Sequence, residues 1–154
     1  MTETKKEPSN NKAQPNVTIN SQYVKDLSFE NPGAPLSLTK IKTPPKIDLG
    51  LDIKVKNISE NNYEVTLLIN AKALLEEESL FVVELEYAGL FTVENIADEN
   101  QKEQILLIYC PNLLFPFARS IIADATRDGG FQPLMVNPVD FGALYMSQKG
   151  TKTN

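Results

Sequence analysis

The chain has 154 residues, 42% of them hydrophobic and 23% charged, a length that suits one domain able to bury a real core. Its 15 Lys and Arg against 20 Asp and Glu give a net charge of -5; with the first sixteen residues at +1 and the last eight at +2, the body carries -8. That body lacks the clustered cations a phosphate-backbone binder needs. With no His and one Cys, the chain cannot build a Ser-His-Asp or Cys-His relay, a Cys/His zinc site or an internal disulfide.

Met1 to Asn16 reads MTETKKEPSNNKAQPN. It is poor in apolar residues and holds no signal-peptide core, so residues 1–16 are expected to be a disordered tail. The longest strictly apolar run, Ile105 to Cys110, is far short of the ~20 residues a membrane helix needs. A soluble cytoplasmic protein without direct membrane insertion is the expectation. Residues 17–146 form the folded domain, and 147–154 a flexible C-terminal tail.

From Val17 to Glu30 the odd positions Val17, Ile19, Tyr23, Leu27 and Phe29 alternate with polar even positions, the pattern of a strand with one dry face. Asn31-Pro32-Gly33 breaks it, and the stretch to Pro45 reads as a long crossover loop whose Leu36, Leu38 and Ile41 have no obvious home. Ile47, Leu49, Leu51, Ile53 and Val55 alternate with polar or small residues. After a turn at Ser59 to Asn62, so do Tyr63, Val65, Leu67, Ile69, Ala71 and Ala73. Glu76-Glu77-Glu78 is a second turn, and Phe81, Val83, Leu85 and Tyr87 mark a fourth strand within Ser79 to Val93. Successive strands with short connections predict an antiparallel meander.

Helical spacing predicts one helix over Glu99 to Tyr109, ended near Cys110-Pro111, and a second over Asn112 to Asp128, stopped by Gly129-Gly130. Asn137 reads as the N-cap of a last helix, with Pro138 in its first position and Phe141, Leu144 and Tyr145 as its apolar stripe. Strands first and helices after them give an α+β fold, a four-stranded antiparallel sheet with helices packed on one face.

Little catalytic chemistry is available. The seven glycines form no phosphate-binding pattern, and no cofactor is implied. Glu76-Glu77-Glu78 reads as a solvated hairpin tip in preference to a cation site, so no metal is expected, and Cys110 reads as an inert buried thiol. Two features rise above this. Asp26 and Glu30 share parity on the first strand, as do Glu84 and Glu86 on the fourth beside Val82. If one wet face carries both pairs, it is either a docking site for a basic partner or plain solvated surface. Leu68, Leu80 and Val82 on the wet parity, with the loop leucines, are surplus apolar surface. They serve self-association, a groove for other chains, or local burial.

The same residues carry a family resemblance. Tyr23-Val24-Lys25-Asp26-Leu27-Ser28-Phe29-Glu30-Asn31-Pro32 and Tyr109-Cys110-Pro111-Asn112-Leu113-Leu114-Phe115-Pro116-Phe117-Ala118-Arg119 resemble two signatures of SecB, the bacterial protein-export chaperone family. Gly130-Phe131, Pro133-Leu134 and Asn137-Pro138-Val139-Asp140-Phe141 continue the match, which spans about Ser21 to Met146. The resemblance implies a homotetramer built as a dimer of dimers. It implies an ATP-independent holdase, not an enzyme, that binds unfolded secretory precursor proteins and delivers them to the SecA ATPase.

Carried over by position, Asp26, Glu30, Val82 and Glu84 match the family's SecA-docking positions. Leu38, Ile47, Leu49 and Leu51 match apolar client-binding positions. Val83, Leu85 and Tyr87 match strand positions whose packing supports tetramer assembly. The crossover loop Leu36 to Lys42 lacks the Trp or other bulky aromatic often found there in the family, which predicts a shallower groove less suited to aromatic side chains.

Overall fold

The computed structural model describes residues 14–151; the expected N-terminal tail lies outside the described residues up to position 13. Four strands, β1 (Asn16–Glu30), β2 (Lys46–Ser59), β3 (Asn62–Leu75) and β4 (Glu78–Glu94), form one antiparallel sheet in the order β1-β4-β3-β2. β2, β3 and β4 are the predicted meander. β1 pairs with β4, so residues 31–45 must cross from one edge of the sheet to the other, carrying the short helix α1 (Leu36–Lys40) on the way. The turn between β3 and β4 is made by Glu76 and Glu77, both at positive φ (50° and 74°), a conformation that favours Asn or Gly.

Two bulges correct the simple alternation of β1. The pairing with β4 slips between Ile19 and Ser21 and again between Val24 and Asp26. Each slip turns the side-chain sequence over. Val17, Leu27 and Phe29 share a face with Val93, Leu85 and Val83, as the alternation predicts. Tyr23, between the bulges, stands opposite Ala88 on the other face. A third slip, between Ala73 and Leu74, leaves Leu80 without a direct partner and buried, so Leu80 is not surplus surface.

The helical layer is one continuous run where two helices were expected. α2 (Glu99–Gln104) passes through a π-turn (Ile105–Tyr109) into α3 (Cys110–Asp128). Proline has no N–H and its ring collides with the carbonyl four residues back. At Pro111 the chain answers by widening: the Cys110 N–H reaches the Ile105 carbonyl, five residues back, and the helix continues. By length and composition the 30-residue run could cross a membrane, and 39% of its most apolar window is buried in the fold. Leu114, Ala118 and Ile122 of α3 are fully buried against Val65, Leu67 and Ile69 of β3 and Val83, Leu85 and Phe91 of β4.

α3 ends in a Schellman motif. Gly130 sits at φ 93°, its N–H bonds the Arg127 carbonyl, and the Phe131 N–H bonds the Thr126 carbonyl. Gly129 is needed for close approach, since a Cβ there would lie 2.3 Å from the Phe29 ring. Residues 131–140 then run as an extended strap, which displaces the expected cap of the last helix. α4 (Phe141–Thr151) is capped by Asp140, whose Oδ1 accepts from the Ala143 N–H at 3.0 Å. α4 also extends into the segment expected to be a tail, so positions 147–151 are helical.

Candidate functional site

The helices cover the centre of the sheet and leave two surfaces with chemistry. One is a groove on the helix side. The crossover enters it with Leu38, Ile41, Pro44 and Pro45, β2 with Ile47, β4 with Phe81, and the strap with Phe131 to Leu134; together they line a cavity of about 420 Å³. The Schellman corner aims Phe131 back at the sheet, where its ring lies 4.9 Å from that of Phe81, which in turn stacks on Phe29 at 5.8 Å. The strap is fastened by Thr126, whose hydroxyl accepts from the Leu134 N–H at 2.8 Å.

Of the predicted client positions, Leu38 and Ile47 line this cavity. Leu49 and Leu51 do not. They continue along the same face of β2, Leu49 47% exposed and Leu51 half-buried, as an apolar path leading from the groove. The crossover brings no aromatic ring to the cavity, but Phe81 and Phe131 bring two from β4 and the strap. Phe131 follows a Gly-Gly pair in the sequence, and that signal, read as the end of a helix, also marks a corner able to turn a ring inward.

The second surface is the sheet face with no helix on it. Register places Asp26 opposite Glu86, Ser28 opposite Glu84, and Glu30 opposite Val82. Paired residues of an antiparallel ladder share a face, so Asp26, Glu30, Val82 and Glu84 lie together with Glu86. Among the described residues none of these four acids is in an ion pair. Lys72 faces Val82 from β3 and is itself faced by Asp48 of β2. Further along the same face, Glu64 accepts hydrogen bonds from the Tyr23 hydroxyl and from Lys25 Nζ, the latter at 2.9 Å. The Tyr23 bond first, then Lys25, holds the Glu64 carboxyl below the usual carboxylate range. Burial, reinforced by the bond to Glu64, pushes Tyr23 up to about 12.

Val83, Leu85 and Tyr87, expected at a subunit interface, are buried beneath the helices, because odd positions of β4 face α3. Tyr87 does reach the surface indirectly: its ring stacks on Phe117, 6.3 Å away. Phe117 is 51% exposed and Tyr109 49%, and with half-buried Leu113 between them they form a four-residue-spaced stripe along one flank of the helix. Sequence reasoning missed that stripe. Cys110 is fully buried, as expected, and burial pushes its thiol up to about 12, which disfavours the thiolate. No group of three or more His, Cys, Asp or Glu suited to a metal occurs among the described residues.

Comparison with known proteins matches this arrangement. The family model described as SecB, preprotein translocase subunit SecB, matches residues 10–152. A protein-export protein SecB of Rickettsia bellii (strain OSU 85-389) is 53% identical over 145 residues, covering 94% of this chain and 95% of the relative. Its counterpart in Maricaulis maris (strain MCS10) is 50% identical over 150 residues, covering 96% and 87%. Among solved structures, a SecB-like chaperone of Mycobacterium tuberculosis, in complex with a ChAD peptide from an antitoxin, superposes with a TM-score of 0.67 at 16% identity, over 80% of this chain and 90% of that one.

Proposed function

The chain belongs to the SecB family, and on that premise we propose how its surfaces divide the work of a protein-export chaperone. The protein is an ATP-independent holdase, not an enzyme: it binds unfolded precursor proteins, keeps them translocation-competent and delivers them to the SecA motor. As in its family, the setting is the cytoplasm. The finer reading concerns which residues act.

Clients are held in the groove lined by Leu38, Ile47, Phe81 and Phe131 and along the path continued by Leu51 and Leu49. The observation that carries this is an open apolar cavity of about 420 Å³ floored by two aromatic rings. Hydrophobic burial is non-directional, and seating one client Leu or Phe side chain yields about 1.5–3 kcal/mol, so many sequences bind. Selectivity for unfolded chains follows, because only they offer apolar side chains on a flexible backbone.

SecA docks on the opposite face at Asp26, Glu30, Val82 and Glu84, where unpaired carboxylates surround a half-buried valine and invite a basic segment. Assembly as a dimer of dimers uses the stripe Tyr109, Leu113 and Phe117 against a second copy of the chain. Val83, Leu85 and Tyr87 act from beneath, Tyr87 by fixing Phe117. Several grooves per assembly then raise the grip on one long client through effective concentration.

The test is to refold a slow-folding secretory precursor with the purified full chain and no nucleotide. Arrested refolding and suppressed aggregation are expected, and unchanged kinetics would refute the holdase assignment. Glu84→Lys should weaken SecA binding and spare client holding; equal loss of both contradicts the division of faces. A solution mass of one chain would refute the assembly.

A further inference from the structure

The open sheet face changes sign along its length, and the docking reading leaves that change unused. Beyond Glu86, β2 contributes Lys54, opposite Thr66, and Lys56, opposite Glu64. Lys25, at the second β1 bulge, reaches in from the other edge to Glu64. Lys25, Lys54, Lys56, Thr66, Glu64 and Glu86 line a depression of about 400 Å³, with Glu64 on β3 between Lys25 and Lys56. The Glu64 carboxylate is already engaged, accepting from both Tyr23 and Lys25. Lys54 and Lys56 are exposed, and neither is in an ion pair among the described residues. The depression is therefore a cationic pocket beside an anionic patch on one continuous surface.

Register fixes the spacing. On β3, Asn70 faces Glu84, and Thr66, which faces Lys54, is two same-face steps away. Each step is two residues of strand, so the acidic and basic centres lie about 13 Å apart along the strands, the span of about four extended residues.

We infer that the pocket of Lys25, Lys54 and Lys56 is a carboxylate subsite of the docking face, which receives an acidic side chain about four residues from the basic cluster of the segment that binds Asp26, Glu30 and Glu84. The inference rests on the docking reading. A polypeptide carboxylate is favoured over a phosphate-rich surface because Glu86 and the neighbouring acids stand at the rim. They repel a densely anionic partner and attract a chain whose other charges are positive. Paired with ammonium groups in a depression, the carboxylate adds direction: it sets which way along the strands the segment lies.

The experiment measures affinity of full-length SecA for the full chain, for Glu84→Lys, and for the double variant Lys54→Glu/Lys56→Glu, by calorimetry at low and physiological salt. Client holding serves as the control for folding. The expected result is weaker binding by both, about tenfold or more for the double variant even though it makes the face more acidic. Tighter or unchanged binding by the double variant, with Glu84→Lys weakened, overturns the subsite and leaves the docking reading standing. Unchanged binding by Glu84→Lys overturns the docking reading and this inference with it. Vesicles of phosphatidylglycerol bound through Lys54 and Lys56, with SecA affinity unmoved, would assign the pocket to a lipid surface and overturn the inference.

Discussion

Replacing Thr126 with valine isolates the side-chain bond that helps fasten the groove's outer wall. The side chain is 0% exposed; its hydroxyl lies 3.0 Å from the Ile122 and Ala123 carbonyls and accepts from the Leu134 N–H at 2.8 Å. Valine keeps the shape. The two carbonyls lose little, since an α-helix satisfies them through its own ladder. The Leu134 N–H loses its acceptor, and a buried unpaired donor costs about 1–3 kcal/mol. Leu134 is only half-buried, so water relieves part of that, and the expected destabilisation is about 1–2 kcal/mol. Urea unfolding at one fixed protein concentration reads this, with concentration held because assembly couples to stability. Amide exchange at Leu134 should quicken by about tenfold, the ratio that 1.4 kcal/mol implies. Thr126→Ser retains the acceptor, gives up one methyl at about 0.8 kcal/mol, and should leave that amide protected. Wild-type stability and unchanged Leu134 exchange in Thr126→Val would refute the reasoning, as would equal loosening by the serine variant.

Other substitutions probe the remaining features. Phe131→Ala removes the ring packed 4.9 Å from Phe81 and should weaken client holding several-fold at a stability cost of about 1–2 kcal/mol, read by precursor aggregation and by urea unfolding. Glu77→Gly relieves a positive φ of 74° and should stabilise by about 1 kcal/mol, seen as a higher Tm; a lower Tm would contradict the strain. The Glu64 contribution to stability is present at neutral pH, because its folded-state value is depressed, and fades as pH falls below the usual glutamate range through that depressed value. The Tyr23 contribution is present below pH 10 and fades as pH rises toward about 12. Glu64→Gln should flatten the acid limb of the stability profile, and Tyr23→Phe the alkaline limb.

Much of the fold was legible because strand patterning depends only on which residues must avoid water. β2, β3 and β4 follow period-2 spacing, and the hairpin turns fall where polar runs interrupt it. β1 reads as a strand, but the facing of its middle, Ser21 to Val24, was not legible, because a bulge leaves no residue signature and two of them return the parity to its starting value. That is why Asp26 and Glu30 were placed correctly on the open face while Tyr23 was not. Pro111 reads as a terminator because its ring and missing N–H disturb the ladder four residues back; the π-turn accommodates it, and the helix continues through a second interior proline, Pro116, into the turns that carry the core. The groove was half legible. Leu38 stood out as an apolar residue without a place and Ile47 came through the family resemblance, whereas Phe81 looked like ordinary core and Phe131 like the residue after a stop signal. Nothing local in a sequence says that a corner at Gly129-Gly130 brings a ring onto a strand some fifty positions earlier.

β4 sends Phe81 into the groove and its neighbour Val82 to the far side of the sheet. On the proposed division of faces, a passenger and the engine that collects it would be separated by the thickness of a single polypeptide layer, and neither would have to leave for the other to arrive. Handover on such a scaffold would then pass through a three-body intermediate, with no interval in which the passenger is loose. The same thinness makes the arrangement brittle to insertion: one extra residue in β4 just after Val82 would trade the two addresses.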